Sequence, residues 1–109
     1  MSARLTSDFW VSAYRMRLEA MGAAVYVAAR GDPTAGAVFV KLSMLDGRAE
    51  LWGRSVSAEG ERVWARLAEG AEAAVDEAAA RQRRYDPDCW LVEVEDRRGR
   101  ALLDDPSLA

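Results

Sequence analysis

The stretch "AVFVKLSMLDGRAELWGR", residues 37–54, decides how this chain folds. Two runs of alternating side chains flank Asp46-Gly47, a dipeptide that marks a tight β-hairpin because both residues tolerate positive φ. Ala37 to Leu45 is the strongest strand in the sequence, and "RAELWGR" from Arg48 is its return.

Reading outward, "AAVYVAAR" from Ala23 is an earlier strand, joined to the hairpin by the glycine- and proline-bearing turn "GDPTAG", residues 31–36. Before it, "TSDFWVSAYRMRLEAMG" reads as a helix. Thr6 or Ser7 is positioned to cap it, Trp10, Tyr14, Leu18 and Met21 form a stripe at helical spacing, and Gly22 ends it. Beyond the hairpin, Trp64, Leu67, Ala68, Ala71, Val75, Ala78, Gln82 and Tyr85 recur at three- and four-residue intervals, which predicts a long second helix. Gly70 would weaken or bend it, Arg81, Arg83 and Arg84 suit its carbonyl end, and Asp86-Pro87 stops it. "CWLVEVED", residues 89–96, is a further strand, and "RRG" turns the chain toward a short tail strand, "RALL". The predicted order is α-β-β-β-α-β in a single domain over residues 1–109. It is an α+β two-layer sandwich, with a mainly antiparallel sheet of four to five strands and two helices on one face.

Alternation then sorts the strand residues. One phase, Val25, Val27, Val38, Val40, Leu42, Ala49, Leu51, Trp90, Val92 and Val94, is wholly apolar and is expected under the helices. The opposite phase mixes charges with aromatics. An open face should be polar, so Tyr26, Phe39 and Trp52, flanked by Lys41 and Arg54, form the expected interaction surface. Aromatics bury about 150–250 Å² each, and three side by side would exceed what a soluble monomer usually exposes. A homodimer or a protein partner is the expected use of that face; cross-strand packing under the Lys41 and Arg54 stems is the bland account.

A second candidate lies in "YDPDCWLVEVEDRRGR", residues 85–100. Glu93 and Glu95 share a strand face, and with Asp88 they could hold a divalent metal for a hydrolase or nuclease, the alternative function. The same pattern describes a half-exposed strand whose acids are neutralised by neighbouring arginines. Cys89 reads as a half-buried structural thiol, and Lys41, the sole lysine, as a solvated strand residue.

Composition narrows the field. The 109 residues contain no histidine and one cysteine, which removes the usual general base, any internal disulfide and any multi-cysteine metal site. Of 15 basic residues only Lys41 is not arginine, and the net charge is −3, so nucleic acid is not an expected partner. No run approaches the roughly 20 apolar residues of a membrane span, and a cytoplasmic protein without cofactor is expected. The element order resembles that of restriction-endonuclease-like nucleases, but tryptophan stands where their acid-x-Lys triplet needs lysine, in Glu50-Leu51-Trp52. It also resembles double-stranded RNA-binding domains, but "AEGAEAAVDE", residues 68–77, is acidic where those need lysines.

Three blocks, "RLTSDFWVSAYRMR", "GAVFVKLSMLDGRAELWG" and "RYDPDCWLVEVEDRRGR", together resemble domain-of-unknown-function family 1491, small bacterial proteins of about this length. The resemblance implies a cytoplasmic single-domain protein and supplies no catalytic residues. The expectation is therefore a non-enzymatic interaction or dimerisation module.

Overall fold

The computed structural model describes residues 5–105; residues 1–4 and 106–109, the ends of the expected domain, lie outside it. The elements are α1 (Ser7–Ala20), β1 (Ala24–Ala29), β2 (Val38–Ser43), β3 (Arg48–Val56), β4 (Arg62–Ala71), α2 (Glu72–Tyr85) and β5 (Trp90–Glu95). The class is α+β as expected, with one strand more than the predicted order. The five strands form one sheet in the order β1-β5-β2-β3-β4. All neighbours are antiparallel except β2 and β5.

The additional strand is β4. Residues 62–71 have helical spacing and helix-forming composition, yet they pair with β3 from Val56↔Arg62 to Arg48↔Ala71. A hairpin forces this: Ser57 N–H donates to the Glu61 carbonyl (2.8 Å), Gly60 N–H donates to the Ser57 carbonyl (2.9 Å), and Gly60 sits at φ +82. Nine residue pairs of ladder override a propensity difference of tenths of a kcal/mol per residue. Gly70, at φ +130, lies at the end of β4 and bends no helix; α2 begins at Glu72.

The helices lie on opposite faces of the sheet, so the layering is helix, sheet, helix, and the two-layer expectation is corrected. Trp10, Val11, Tyr14 and Leu18 of α1 pack on Val25, Val38, Val40, Leu42, Trp90, Val92 and Val94. Val75, Ala78 and Ala79 of α2 pack on Ala49 and Leu51, with Phe39, Ala68 and Leu91 around them. The cause is the register of the hairpin. A two-residue Asp46-Gly47 turn would close on Leu45 and Arg48. Instead Met44 N–H donates to the Arg48 carbonyl (3.3 Å), and Leu45 enters the loop at φ +62. Strand β2 then pairs as Val40↔Trp52 and Lys41↔Leu51. One residue of slip moves every β3 side chain to the other face. Ala49 and Leu51 thereby join the α2 side, whereas Glu50, Trp52 and Arg54 join the α1 side.

Each helix covers one half of its face, on the diagonal. Helix α1 lies toward β1, and α2 lies over β2, β3 and β4. The central strand β2 is covered on both sides, which is why Lys41 and Ser43 are buried.

The N-terminus of α1 is not capped by a side chain, contrary to expectation. Its orphan N–H groups, on Ser7 and Asp8, donate instead to the carbonyls of Thr34 (3.1 Å) and Pro33 (2.9 Å) in the β1–β2 turn. That turn is itself pressed onto β5: Asp32 N–H donates to the Asp88 carbonyl (2.8 Å), and Trp90 Nε1 donates to the Asp32 carbonyl (2.8 Å). A Cβ at Gly31 would overlap the Asp88 carbonyl, so glycine is needed there for close backbone approach.

After β5 the chain turns at Asp96 to Gly99, and Ala101, Leu102 and Leu103 pack onto the α1-side core without forming the expected tail strand. Fully buried Tyr14 donates its hydroxyl to the Ala101 carbonyl (2.6 Å), and burial raises its pKa. The turn is clamped by Asp96. Its carboxylate accepts from Arg100 N–H (2.7 Å), Nε (2.9 Å) and Nη2 (2.8 Å), and its pKa falls from 3.8 to about 2, chiefly through the Arg100 side-chain hydrogen bonds. A depressed folded-state pKa contributes stability that is present above the unfolded value and is lost as pH falls through the folded one. Asp96→Asn should therefore cost about 1–3 kcal/mol at neutral pH. Its deficit against the parent protein should shrink as pH falls from about 4 to about 2, followed by urea unfolding at each pH. A deficit that stays constant down to pH 2 would contradict the clamp.

Candidate functional site

The register separates the residues that the sequence grouped. Trp52 and Arg54 lie on the α1 side, paired with Val40 and Trp64; Phe39 and Lys41 lie on the α2 side with Leu91 and Glu93, and Tyr26 lies there opposite Glu93. Phe39 is half-buried under α2, packed beside Ala68 and Leu91. Gly53 leaves room for it: a Cβ there would sit 2.9 Å from both Phe39 Cε1 and Leu67 Cδ1. Tyr26 is exposed at the far end of the sheet. No contiguous patch of Tyr26, Phe39 and Trp52 exists, because alternation sets phase within a strand and the loop sets phase between strands.

The structure instead assembles an aromatic site from one expected tryptophan and one that the helical reading had placed on α2. Trp52 from β3 and Trp64 from β4 are half-buried on the α1 side, over the part of the sheet that α1 leaves open. Trp64 lies 5.5 Å, centroid to centroid, from Trp10 of α1, which stacks on Tyr14 at 4.6 Å. Arg54 packs its guanidinium over Trp64 at 4.5 Å and reaches Trp10 at 5.8 Å. Stacking of this kind is worth roughly 0.5–2 kcal/mol per contact, so the indoles are held in place by the core behind them. Trp52 Nε1 donates to Glu50 (3.0 Å), and Glu50 also pairs with Arg66 at 3.4 Å. Each polar end of the site thus has a partner while the ring faces remain apolar.

Between these rings and the tail runs a groove of about 590 Å³, floored by Leu42, Trp52 and Trp64 and walled by Leu102 and Leu103. Arg54 and Arg62 stand at one end and Asp104 and Asp105 along the tail side. A second groove, of about 420 Å³, lies across the Trp64 and Arg54 ridge against Trp10 and the start of α1. An apolar floor with charged groups at its margins suits a ligand that is apolar along its length and ionised at a point.

The acidic candidates do not converge. Asp88 lies in the turn before β5, whereas Glu95 ends that strand. Seven residue steps separate them, up to roughly 23 Å at about 3.3 Å each. Among the described residues no three acidic or cysteine side chains group as a metal ion requires. Cys89 is fully buried rather than half-buried, and burial raises its thiol pKa.

Lys41 is the larger correction. It is buried at 4% exposure, with Nζ 2.6 Å from Asp76, 2.8 Å from Glu72 and 3.8 Å from Glu93. Burial lowers its pKa, but the hydrogen bonds its ammonium donates to Asp76 and Glu72 and the charge of Glu93 outweigh that, and the net shift is upward. Lysine is long enough to reach past the α2 contact, so the cluster pins α2 to β2; its acids are a third to a half exposed and stay hydrated. Lys41→Met should cost about 1–3 kcal/mol, less than the 3–5 of a fully buried pair. A raised folded-state pKa gives stability that is present below the unfolded value, 10.5, and is lost as pH rises through the folded one. The deficit of Lys41→Met in chemical unfolding should hold from pH 7 to 10 and narrow above; a deficit that is absent at pH 7 would contradict the cluster.

Similarity to known proteins covers nearly the whole chain. Residues 5–104 match the family described as "Protein of unknown function (DUF1491)". A crystal structure of a DUF1491 family protein from Caulobacter crescentus CB15 is 42% identical, with a TM-score of 0.86 over 94% of this chain and 98% of that one. An NMR structure of a DUF1491 family protein from the same organism is 41% identical, at 0.83 over 96% and 97%. The solution structure of protein Atu0922 from A. tumefaciens is 32% identical, at 0.73 over 85% and 86%. No curated protein matches the chain. With matched blocks at both ends and a shared fold throughout, the chain belongs to the DUF1491 family.

Proposed function

We propose that the protein is a non-enzymatic interaction module, and that its binding surface is the groove floored by Trp52 and Trp64. The observation that carries this reading is the pair of indoles held on an open part of the sheet, with Arg54 packed over one of them. Rigid aromatic surface braced from behind is the usual anchor of a polypeptide interface, since it buries large area at little entropic cost. The occupant is an extended segment of another protein, with an aliphatic or aromatic side chain on the tryptophan floor and a carboxylate toward Arg54 and Arg62. Of the residues first expected to form the surface, Trp52 and Arg54 belong to it; Tyr26, Phe39 and Lys41 do not.

Panning a random peptide library on the intact chain tests both the site and its chemistry. Selected peptides should combine an acidic residue with a large apolar one. Trp64→Ser should weaken their binding by about 2 kcal/mol, the scale of an interface hot spot. Failure to select any peptide, or selection indifferent to Trp64→Ser in a protein that remains folded by circular dichroism, would contradict the proposal.

A further inference from the structure

We propose that a second copy of this chain pairs with the first along β4, antiparallel, about a two-fold axis between Leu67 and Ala68. Strand β4 is the outermost strand of the sheet, and at ten residues it is its longest. The opposite edge, β1, has six. Among the described residues only the β3 side of β4 takes part in the sheet, which leaves a long row of main-chain donors and acceptors of the kind proteins normally cover or shorten.

The side-chain pattern of β4 fits its own reverse. Arg66 lies opposite Trp52 and Glu69 opposite Glu50, so both face the α1 side; Ala68 lies opposite Leu51 and faces α2. The ladder slips between these pairs, leaving Leu67 as the extra residue of a bulge, and Leu67 also faces the α2 side, beside Phe39 over Gly53. From 66 to 69 the faces therefore read α1, α2, α2, α1. In a two-fold antiparallel pair, residues opposite each other must share a face. Matching 66 with 69 and 67 with 68 satisfies this, and the match continues outward through 65 with 70 and 64 with 71. Without the bulge, a register centred between two residues would set every pair on opposite faces.

Charge and apolar exposure select the same register. Within one chain Arg66 and Glu69 already pair at 3.4 Å, both about half exposed; in this register Arg66 of each copy also comes opposite Glu69 of the other, twice by symmetry, so the same charges can pair across the axis. Leu67, 46% exposed, comes to lie at the axis beside Ala68 of the other copy. Registers that place Arg62 opposite Arg66 would set like charges together, which disfavours them. The two helices α2 then flank the axis on one face, and the two tryptophan grooves lie on the other. The inference stands on the strand edge and does not depend on what fills the groove.

Sedimentation and light scattering of the intact chain across a wide range of concentration should show a species of twice the 12.0 kDa chain mass. Arg66→Glu and Glu69→Arg should each weaken association at least about tenfold, and the two together should restore it, because the charges are exchanged without loss of complementarity. Independently of any substitution, a mixture of isotopically labelled and unlabelled chains should give proton contacts between residue 66 of one copy and residue 69 of the other. A monomer at millimolar concentration, a dimer unaffected by the charge reversals, or intermolecular contacts confined to other residues would overturn the proposal.

Discussion

The loop that joins β2 to β3 governs the rest of the molecule. Because Met44 pairs with Arg48 and Leu45 is carried into the turn, β3 is displaced by one residue against β2. Since strand side chains alternate with a period of two, the displacement is all or nothing. It gives α2 an apolar seat in Ala49 and Leu51, and it sends Trp52 and Arg54 to the opposite side. Helices on both faces, the burial of β2 and the tryptophan groove all follow from that step.

The step also explains the odd chemistry of β2. A central strand covered on both sides is normally a continuous apolar run, yet Lys41 sits in the middle of this one. Its ammonium passes beneath α2 and is met by Glu72 and Asp76 of that helix and by Glu93 of β5. The network lies in the seam between sheet and helix, and its acids remain partly in water. It therefore acts as a peg for α2. On the other side, the apolar seam between α1 and the sheet is closed by the tail, through the Tyr14 hydroxyl and the Asp96 clamp.

Much of the fold was legible in the sequence, for identifiable reasons. The stripe Trp10, Tyr14 and Leu18, the stop at Asp86-Pro87, and the strands around Val25, Val40 and Val92 each rest on local periodicity or local sterics, and each stands where expected. Residues 62–71 carry a helical signal because leucine, alanine and glutamate favour a helix, and only the partner strand makes them extended. Gly60 and the alternation of Val63 and Ala65 with Arg62, Trp64 and Arg66 were the local signals of a hairpin. The candidate site was half legible. Trp52 and Arg54 were identified as exposed strand residues of unusual character, but their neighbours were assigned by a phase that the turn dipeptide alone could not settle. The positive φ of Leu45, a residue with no preference for that conformation, is a tertiary outcome.

The register between β2 and β3 can be read directly by nuclear Overhauser contacts from the Trp52 indole in solution. Contacts to the side chains of Val40 and Leu42 and to Leu102 or Leu103 of the tail are predicted, with none to Phe39 or Lys41. Contacts to Phe39 and Lys41 instead would restore the two-residue turn, return Trp52 to the α2 side, and contradict the groove and the architecture around it.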